Sequence, residues 1–130
     1  MNIEHVAIWC RDIESVKLFY ERYFGACSKA KYTNDKKQFQ SYFLSFASGA
    51  RLELMQRPDL KTVEGKTVAQ EFIGYAHLAL AVGSEAAVNA LTKRLVNDGH
   101  RRVDGPRRTG DGCYESVVLD PEGNRIEITV

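Results

Sequence analysis

The chain contains one short phrase twice, and this repeat limits the folds that it can adopt. Residues 2–9 read NIEHVAIW and residues 74–82 read GYAHLALAV, which places His5 and His77 at equivalent positions. A helix-like segment follows each copy, and an alternating strand that carries a glutamate closes each half. Because consecutive residues of a strand point to opposite faces, each half separates an apolar face from a face with polar groups. The sequence therefore predicts two copies of one structural unit.

The first unit has the predicted order strand, helix and three further strands. Asp12 is a natural N-cap, an apolar stripe at helical spacing follows it, and Gly25 is a natural C-terminal residue, so we expect a helix over residues 13–24. Alternation and turn residues predict strands at residues 3–9, 29–33, 38–46 and 51–55.

The second unit repeats this order after a connecting segment. Residues 56–73 contain proline, glycine and mixed charges, so we place a linker there between modules at 1–55 and 74–130, within one compact domain. A helix is expected between Ser84 and the stop at residues 98–99. The other predicted elements are strands at 75–82, 101–103, 114–119 and 125–130, and a Gly/Pro-rich loop at 104–112.

Length and composition argue against several classes of protein. A chain of 130 residues is long enough for a real core. The net charge is +1 and the basic residues form no long stripe, so we expect no nucleic acid partner. No apolar run approaches the roughly 20 residues that span a bilayer, so we expect no membrane partner. The three cysteines, Cys10, Cys27 and Cys113, lack CxxC spacing and are typical of reduced thiols in a cytoplasmic protein; the sequence assigns no role to Cys27 or Cys113.

Two histidines and two glutamates stand at matching positions on the polar faces. His5 and His77 lie near the start of the first strand of each module, and Glu53 and Glu127 are third in the last strand. A lone strand histidine is more often a hydrogen-bonded structural residue, and a lone strand glutamate usually faces solvent. Their coincidence in the repeat favours a divalent metal site of two imidazoles and two carboxylates. Four protein ligands around a six-coordinate ion would leave two positions for substrate oxygens.

Four segments, in order, resemble the vicinal oxygen chelate superfamily of glyoxalases, bleomycin resistance proteins and dioxygenases. These segments are IEHVAIWCRDIESVKLFYERYFG, ARLEL, GYAHLALAV and DPEGNRIEI. The resemblance covers nearly the whole chain and is strongest to glyoxalase I-like proteins. It implies an α+β fold of two βαβββ modules that form an open, barrel-like mixed sheet with the helices outside. It also implies a homodimer that acts on a small-molecule substrate.

The family's metal ligands, carried over residue by residue, fall on His5, Glu53, His77 and Glu127. The resemblance implies a metal-dependent lyase or isomerase, similar to lactoylglutathione lyase, that removes a proton next to a carbonyl through a metal-bound enediolate. Glu127 would be the base and Glu53 its partner. The metal would be zinc, nickel, cobalt, manganese or iron, with glutathione or another thiol as an optional co-substrate.

Further residues are candidates for a substrate pocket. Trp9 either lines the pocket or packs in the interior. Arg51 and Arg125, each two residues before a glutamate, either hold an anionic group or sit at the rim, of which we favour the rim. Tyr114 and the loop before it would close over a ligand. Glutathione-using bacterial relatives carry an arginine where this chain has Trp9 and an asparagine where it has Arg57.

Two other functions remain open from the sequence. One is an epimerase of a small acyl substrate, which would use related proton-transfer chemistry. The other is a metal-free protein that binds a ligand, as bleomycin resistance proteins do. The complete set of two histidines and two glutamates argues against this second alternative, because a sequestering protein has no need of four metal ligands.

Overall fold

The structure, a computed structural model, describes residues 1–63 and 67–130, and the chain divides into two compact units. Unit 1 comprises Met1–Glu64 and unit 2 comprises Gly65–Val130. In each unit an α-helix accompanies a mixed sheet that does not close on itself. The chain thus has the predicted α+β fold class.

The described residues of unit 1 follow the predicted element order with one strand divided in two. Its elements are β1 His5–Trp9, α1 Ile13–Phe24, β2 Cys27–Ser28, β3 Tyr32–Asn34, a 3-10 helix Asp35–Lys37, β4 Phe39–Ser45 and β5 Arg51–Gln56. The strand order is β1-β5-β4-β2, and β3 also pairs with β4. β1 runs parallel to β5, whereas the strands that pair with β4 are antiparallel to it.

Helix α1 has the bounds that the sequence predicted. Oδ1 of Asp12 accepts hydrogen bonds from the backbone N–H groups of Glu14 and Ser15, both at 3.1 Å, which caps the N-terminus. Gly25 adopts a φ of 63° and ends the helix in the left-handed conformation. The apolar stripe that the helix buries consists of Ile13, Val16, Phe19, Tyr20 and Tyr23. This stripe packs on one face of the sheet, and the helix leaves the other face uncovered.

Unit 2 repeats the arrangement. Its elements are β6 His77–Ala81, α2 Glu85–Asn97, β7 Arg102–Arg108, β8 Tyr114–Leu119 and β9 Arg125–Thr129. The strand order is β6-β9-β8-β7, with β6 parallel to β9. His77 pairs in register with Arg125, just as His5 pairs with Arg51 in unit 1. The repeat seen in the sequence is therefore also a repeat of strand register.

The predicted strand at residues 29–33 is wrong in extent. The chain pairs with β4 before and after this point, but residues 29–31 belong to neither β2 nor β3. Ser28 pairs with Leu44 and Tyr32 pairs with Ser41. Between these two pairs the chain advances by four residues from Ser28 to Tyr32 but by only three along β4. The extra residue interrupts the pairing in the manner of a bulge.

The predicted loop at residues 104–112 is also wrong in extent, because β7 continues to Arg108. The pairing of β7 with β8 has two register shifts, and the second, between Asp104 and Arg107, contains Gly105 and Pro106. β7 is the edge strand of its sheet, so it has a neighbouring strand on one side only. An edge strand tolerates a proline, which has no backbone N–H to donate to a neighbouring strand. In the predicted linker, β5 extends to Gln56, and residues 64–66 lie outside the described residues.

Candidate metal centre

The helix covers one face of the sheet in unit 1, and the polar side chains lie on the other. Leu52 and Leu54 of β5 are 1% and 0% exposed, and they belong to the core. Glu53, which lies between them, points to the opposite face. The parallel pairing places Ala7 of β1 opposite Glu53, and His5 lies two residues earlier on the same face. Strand parity thus brings the histidine and the glutamate of unit 1 to one surface.

His5 and Glu53 form a close pair on this surface. Nε2 of His5 lies 3.8 Å from Oε2 of Glu53. The histidine side chain is 40% exposed and the glutamate side chain 16% exposed. Phe43 of β4 packs edge-on against the imidazole, with ring centroids 5.5 Å apart. The pair is therefore held against the sheet while the imidazole stays open to a ligand.

Glu4 is a residue of this site that the sequence did not predict. Its Oε2 lies 2.5 Å from Nδ1 of His5, and its Oε1 accepts a hydrogen bond from Nε of Arg51 at 2.7 Å. The hydrogen bond with His5, and then the one from Arg51, hold the pKa of Glu4 below its ordinary value. A carboxylate that accepts a hydrogen bond from Nδ1 favours the tautomer with the proton on Nδ1. Nε2 then has a lone pair with which it can coordinate a metal ion. The only sequence signal for this role is its place directly before His5.

Unit 2 carries the equivalent pair in the equivalent register. Ala79 of β6 lies opposite Glu127 of β9, and His77 lies two residues earlier on the same face. Nε2 of His77 is 3.2 Å from Oε2 of Glu127, with the side chains 44% and 16% exposed. The neighbours of Glu127 along the strand, Ile126 and Ile128, are buried in the core.

The two pairs differ in the residues around them. Ala76 precedes His77, so unit 2 has no counterpart of the carboxylate before His5. Instead, Val117 of β8 lies opposite Glu127, and Glu115 shares that face two residues away. Burial, and then repulsion by the Glu127 carboxylate, raise the pKa of Glu115. Glu115 also escaped the sequence-based prediction, because its position on this face becomes visible only once the register of β8 is known.

The distance within one of the two pairs fits two ligands of one metal ion, and the other pair is wider. Histidine nitrogen and carboxylate oxygen bind zinc at about 2.0–2.2 Å, so two neighbouring ligands of one ion lie roughly 3.0–3.4 Å apart. The His77–Glu127 pair falls within that range at 3.2 Å, and the His5–Glu53 pair is wider at 3.8 Å. Imidazole with carboxylate suits several divalent metals, including zinc, iron and manganese.

Neither pair is a complete metal site. Within residues 1–63 and 67–130, no group of three or more His, Cys, Asp or Glu side chains is arranged to hold a metal ion. One His–Glu pair supplies two ligands, whereas protein sites for zinc use three or four. The three cysteines form no disulfide; Cys10 is buried, and Cys27 and Cys113 are exposed.

Two of the predicted pocket residues lie on the His5 face. Trp9 shares that face by strand parity and is 44% exposed, so it is not an interior tryptophan. Arg51 pairs with the carboxylate of Glu4, and its guanidinium lies 4.2 Å from the ring centroid of Phe43. Arg51 is therefore already held by two neighbours at the side of the histidine.

The other two predicted pocket residues contact different parts of unit 2. Arg125 pairs with the carboxylate of Glu71 and donates a hydrogen bond to the carbonyl of Val68 at 2.8 Å, so it binds the segment before β6. The hydroxyl of Tyr114 donates to Oδ1 of Asn89 on α2 at 2.9 Å. Tyr114 thus lies on the helix side of its sheet, and the structure does not bring it to the face of the His–Glu pair.

Comparisons with known proteins show the family and the fold of the chain. Residues 2–128 match the family model of the Glyoxalase/Bleomycin resistance protein/Dioxygenase superfamily. The fold is similar to that of glyoxalase I from Zea mays, at a TM-score of 0.79 and 19% identity, over 98% of this chain and 44% of that one. It is also similar to the trypanothione-dependent glyoxalase I of Leishmania major, at a TM-score of 0.76 and 20% identity, over 99% and 86% of the two chains. A glyoxalase family protein from Enterococcus faecalis gives a TM-score of 0.77 and 22% identity, over 98% and 96%.

Two further observations complete the comparisons. No curated protein sequence matches the chain. Among the residues that the structure describes, no helix has the length and apolar character needed to cross a membrane.

Proposed function

Because the chain belongs to the Glyoxalase/Bleomycin resistance protein/Dioxygenase superfamily, we propose that it is a metal-dependent lyase or isomerase of glyoxalase type. His5, Glu53, His77 and Glu127 would together hold one divalent metal ion. One observation supports this most: each unit sets a histidine Nε2 and a glutamate Oε2 3.8 or 3.2 Å apart on the face away from its helix. Equivalent pairs at equivalent register are expected of a site that uses both.

The proposed reaction moves a proton between neighbouring carbons of a carbonyl substrate. Glu127 takes the proton from the carbon next to the carbonyl, and Glu53 is its partner on the other side. Both carboxylates are 16% exposed, so little water reaches them to compete for the proton. The metal, when bound, supplies a Lewis acid that stabilises negative charge on the substrate oxygens.

Removal of the metal tests this proposal. Hydrogen transfer in the substrate is measured by proton NMR in deuterated water. Treatment of the protein with a chelator should abolish this transfer, and one equivalent of divalent metal should restore it. His5→Ala and His77→Ala should not recover with added metal, because each lacks one ligand. His100→Ala, which removes the remaining histidine, is the matched control and should recover fully. Recovery of both ligand variants would contradict the assignment.

The substrate is assigned by a panel of candidates. Methylglyoxal with glutathione, methylglyoxal with other thiols, and 2-oxo and 2-methyl acyl compounds separate a glyoxalase from an epimerase. Turnover of a thiol adduct of methylglyoxal supports a lyase similar to lactoylglutathione lyase. Exchange at the 2-position of an acyl compound, without turnover of any thiol adduct, supports the epimerase instead.

One observation favours a second function, a metal-free ligand-binding protein of the bleomycin resistance type. In the described part of the chain, no group of three or more His, Cys, Asp or Glu side chains is arranged to hold a metal ion. Metal analysis of the purified protein separates the two functions. Stoichiometric divalent metal supports the enzyme, and a protein that binds no metal at any concentration supports the alternative.

The remaining expectations concern the state of the protein. We propose a cytoplasmic homodimer that binds a small molecule, because dimers are usual among the family's enzymes and the three cysteines form no disulfide. The molar mass in solution, measured by light scattering, tests the dimer.

A further inference from the structure

A groove in unit 1 combines aromatic with cationic side chains outside the proposed metal site. Its volume is about 340 Å³. The residues that line it come from β1, β3, the 3-10 helix, β4 and the segment after β5: Trp9, Tyr32, Asn34, Lys37, Phe39 and Arg57. All of them belong to unit 1, so the groove is a feature of that unit alone.

Three aromatic rings form the apolar part of the groove. Trp9 and Phe39 meet edge to face, with centroids 6.2 Å apart and an interplanar angle of 88°. Phe39 and Tyr32 are 6.2 Å apart on the other side. Trp9 is 44% exposed and Tyr32 is 55% exposed, so two large rings border the central one without being buried. Contiguous exposed aromatic surface of this kind marks a place where a ligand or partner packs.

The charges around the rings favour a single negative charge on the ligand. The Arg57 guanidinium lies 5.0 Å from the centroid of Trp9, and its Nε forms an ion pair with Oδ1 of Asp59 at 2.9 Å. Lys37 adds a second cation to the lining. Two cations and one carboxylate leave one net positive charge, which suits a carboxylate better than a phosphate with about two charges.

The groove lies on the same face of the sheet as the His5–Glu53 pair. Trp9 follows His5 by four residues on β1, which corresponds to roughly 13 Å along the strand. A substrate with its reacting oxygens near His5 can therefore extend its far end to Trp9. Both ends would rest on one continuous sheet surface.

We propose that this groove binds the distal end of the substrate, a planar aromatic ring that carries one carboxylate. The rings of Trp9, Tyr32 and Phe39 pack against the aromatic ring, and Arg57 with Lys37 attracts the carboxylate. This inference rests on the proposed function, because it takes the groove and the His5–Glu53 pair as two ends of one substrate site.

The test uses 3-phenylpropionate as a probe and the full chain, with and without zinc. Trp9 is the only tryptophan, so a saturable change in tryptophan emission on titration reports binding at the groove. Calorimetry gives the affinity in parallel. The probe should bind in the absence of zinc as well, because the groove contains none of the proposed metal ligands. The uncharged analogue 3-phenylpropanol and the non-planar 3-cyclohexylpropionate should each bind about fivefold to tenfold more weakly.

Two variants locate the probe, and a third is a matched control. Trp9→Leu and Arg57→Gln should each weaken binding of 3-phenylpropionate about tenfold. Arg22 on α1 also stacks on an aromatic ring, with its guanidinium 5.3 Å from the centroid of Tyr23. Arg22→Gln should leave the affinity unchanged, since Tyr23 belongs to the core on the helix side.

Each outcome separates the groove from the metal site. Equal affinity for 3-phenylpropanol, wild-type affinity in Arg57→Gln, or tighter binding of adenosine 5′-monophosphate would overturn the proposed ligand class. Those results would leave metal binding by the His–Glu pairs untouched. Conversely, probe binding in a protein that takes up no metal would overturn the proposed function and leave the groove as a ligand site.

Discussion

At the residue scale, the site depends on the tautomer of one histidine. Glu4 occupies Nδ1 of His5, so the proton is expected there and Nε2 is left toward Glu53. His77 has no carboxylate before it, since Ala76 stands at that place. The two histidines therefore have equivalent strand registers, but only His5 has a carboxylate from the preceding residue on its Nδ1.

Substitution of Glu4 tests this difference. Glu4→Gln removes the charge that orients His5, and we expect the affinity for a divalent metal to fall about tenfold to a hundredfold. Competition with a chromogenic chelator measures the change. Glu85→Gln, which neutralises a carboxylate on α2 paired with Arg108, is the control and should keep the wild-type affinity. Equal affinities in the two variants would show that Glu4 does not orient a ligand.

Strand alternation was enough to predict which face of the sheet a strand residue occupies. It could not predict which side chains from outside the strand contact that face. His5 and Glu53 could be placed on one face because strand alternation decides it. The predicted strand at residues 3–9 puts Glu4 on the face opposite His5, but β1 begins at His5, and only the folded side chain shows that Glu4 reaches the imidazole. Tyr114 has the same parity in β8 as the buried Ser116 and Val118, which places it on the helix side of the sheet.

At the element scale, β7 shows how an irregular strand can look like a loop. Gly105 has a φ of 69°, and a Cβ on this residue would lie 2.5 Å from the carbonyl oxygen of Glu115 on β8. Glycine is thus needed for the close approach of two strands. Glycine and proline are ordinary turn signals in a sequence, so the bulged edge strand could not be told from a loop.

Substitution of Gly105 should destabilise the fold. Gly105→Ala places a methyl group against backbone atoms, and we expect the free energy of unfolding to fall by about 1–3 kcal/mol. Urea denaturation measures this change. Gly110→Ala is the matched control, because nothing lies within 4 Å of the added Cβ and the backbone there is not left-handed. An unfolding free energy for Gly105→Ala equal to that of the control would contradict the close packing of β7 on β8.

Helix α1 carries a pH-dependent contact with the strand that follows it. A hydrogen bond from Oγ of Ser28 at 2.6 Å, and then one from Nζ of Lys17 at 2.9 Å, lower the pKa of Glu21 from its ordinary value of 4.5. Because the pKa is lower in the folded state, the ionised carboxylate stabilises the fold above pH 4.5. This stabilisation is lost as the pH falls through the lowered pKa.

Removal of the Glu21 carboxylate should therefore make the free energy of unfolding depend less steeply on pH in the acidic range. We expect Glu21→Gln to reduce the loss of unfolding free energy between neutral pH and the region below pH 4.5, as measured by urea denaturation at a series of pH values. Ser28→Ala, which removes the strongest hydrogen bond, should reduce this pH dependence in part. A slope in Glu21→Gln identical to that of the wild type would contradict the contact.

At the scale of the whole molecule, the repeat predicted two equivalent units, and the family resemblance predicted the fold class. The phrases around His5 and His77 predicted two equivalent units, and the equal strand registers confirm that equivalence. The sequence could not predict the ligand groove, because Trp9, Tyr32 and Phe39 lie on three different strands. Their proximity depends on how β2 and β3 pair with β4, and this pairing is interrupted between them. The three solved structures named above are 19–22% identical to the chain and share its fold, so specificity must be read from the chain's own side chains.

Metal binding should stabilise the folded chain. An ion that binds only the native state at about a hundredfold excess over its dissociation constant adds about 2.7 kcal/mol. We therefore expect zinc to raise the midpoint of thermal unfolding of the wild type and a chelator to reverse the shift. The same shift in a variant that lacks both Glu53 and Glu127 would place the bound ion elsewhere.

A cobalt titration tests the central claim, that two ligands from each unit bind one ion. Visible absorption of Co²⁺ added to the metal-free protein should reach its end point at one equivalent per chain, with the weak bands of a five- or six-coordinate ion. Both His5→Ala and His77→Ala should lose this end point, whereas His100→Ala should keep it. An end point at two equivalents, with each histidine variant losing only one of them, would contradict a shared site and leave two independent half-sites.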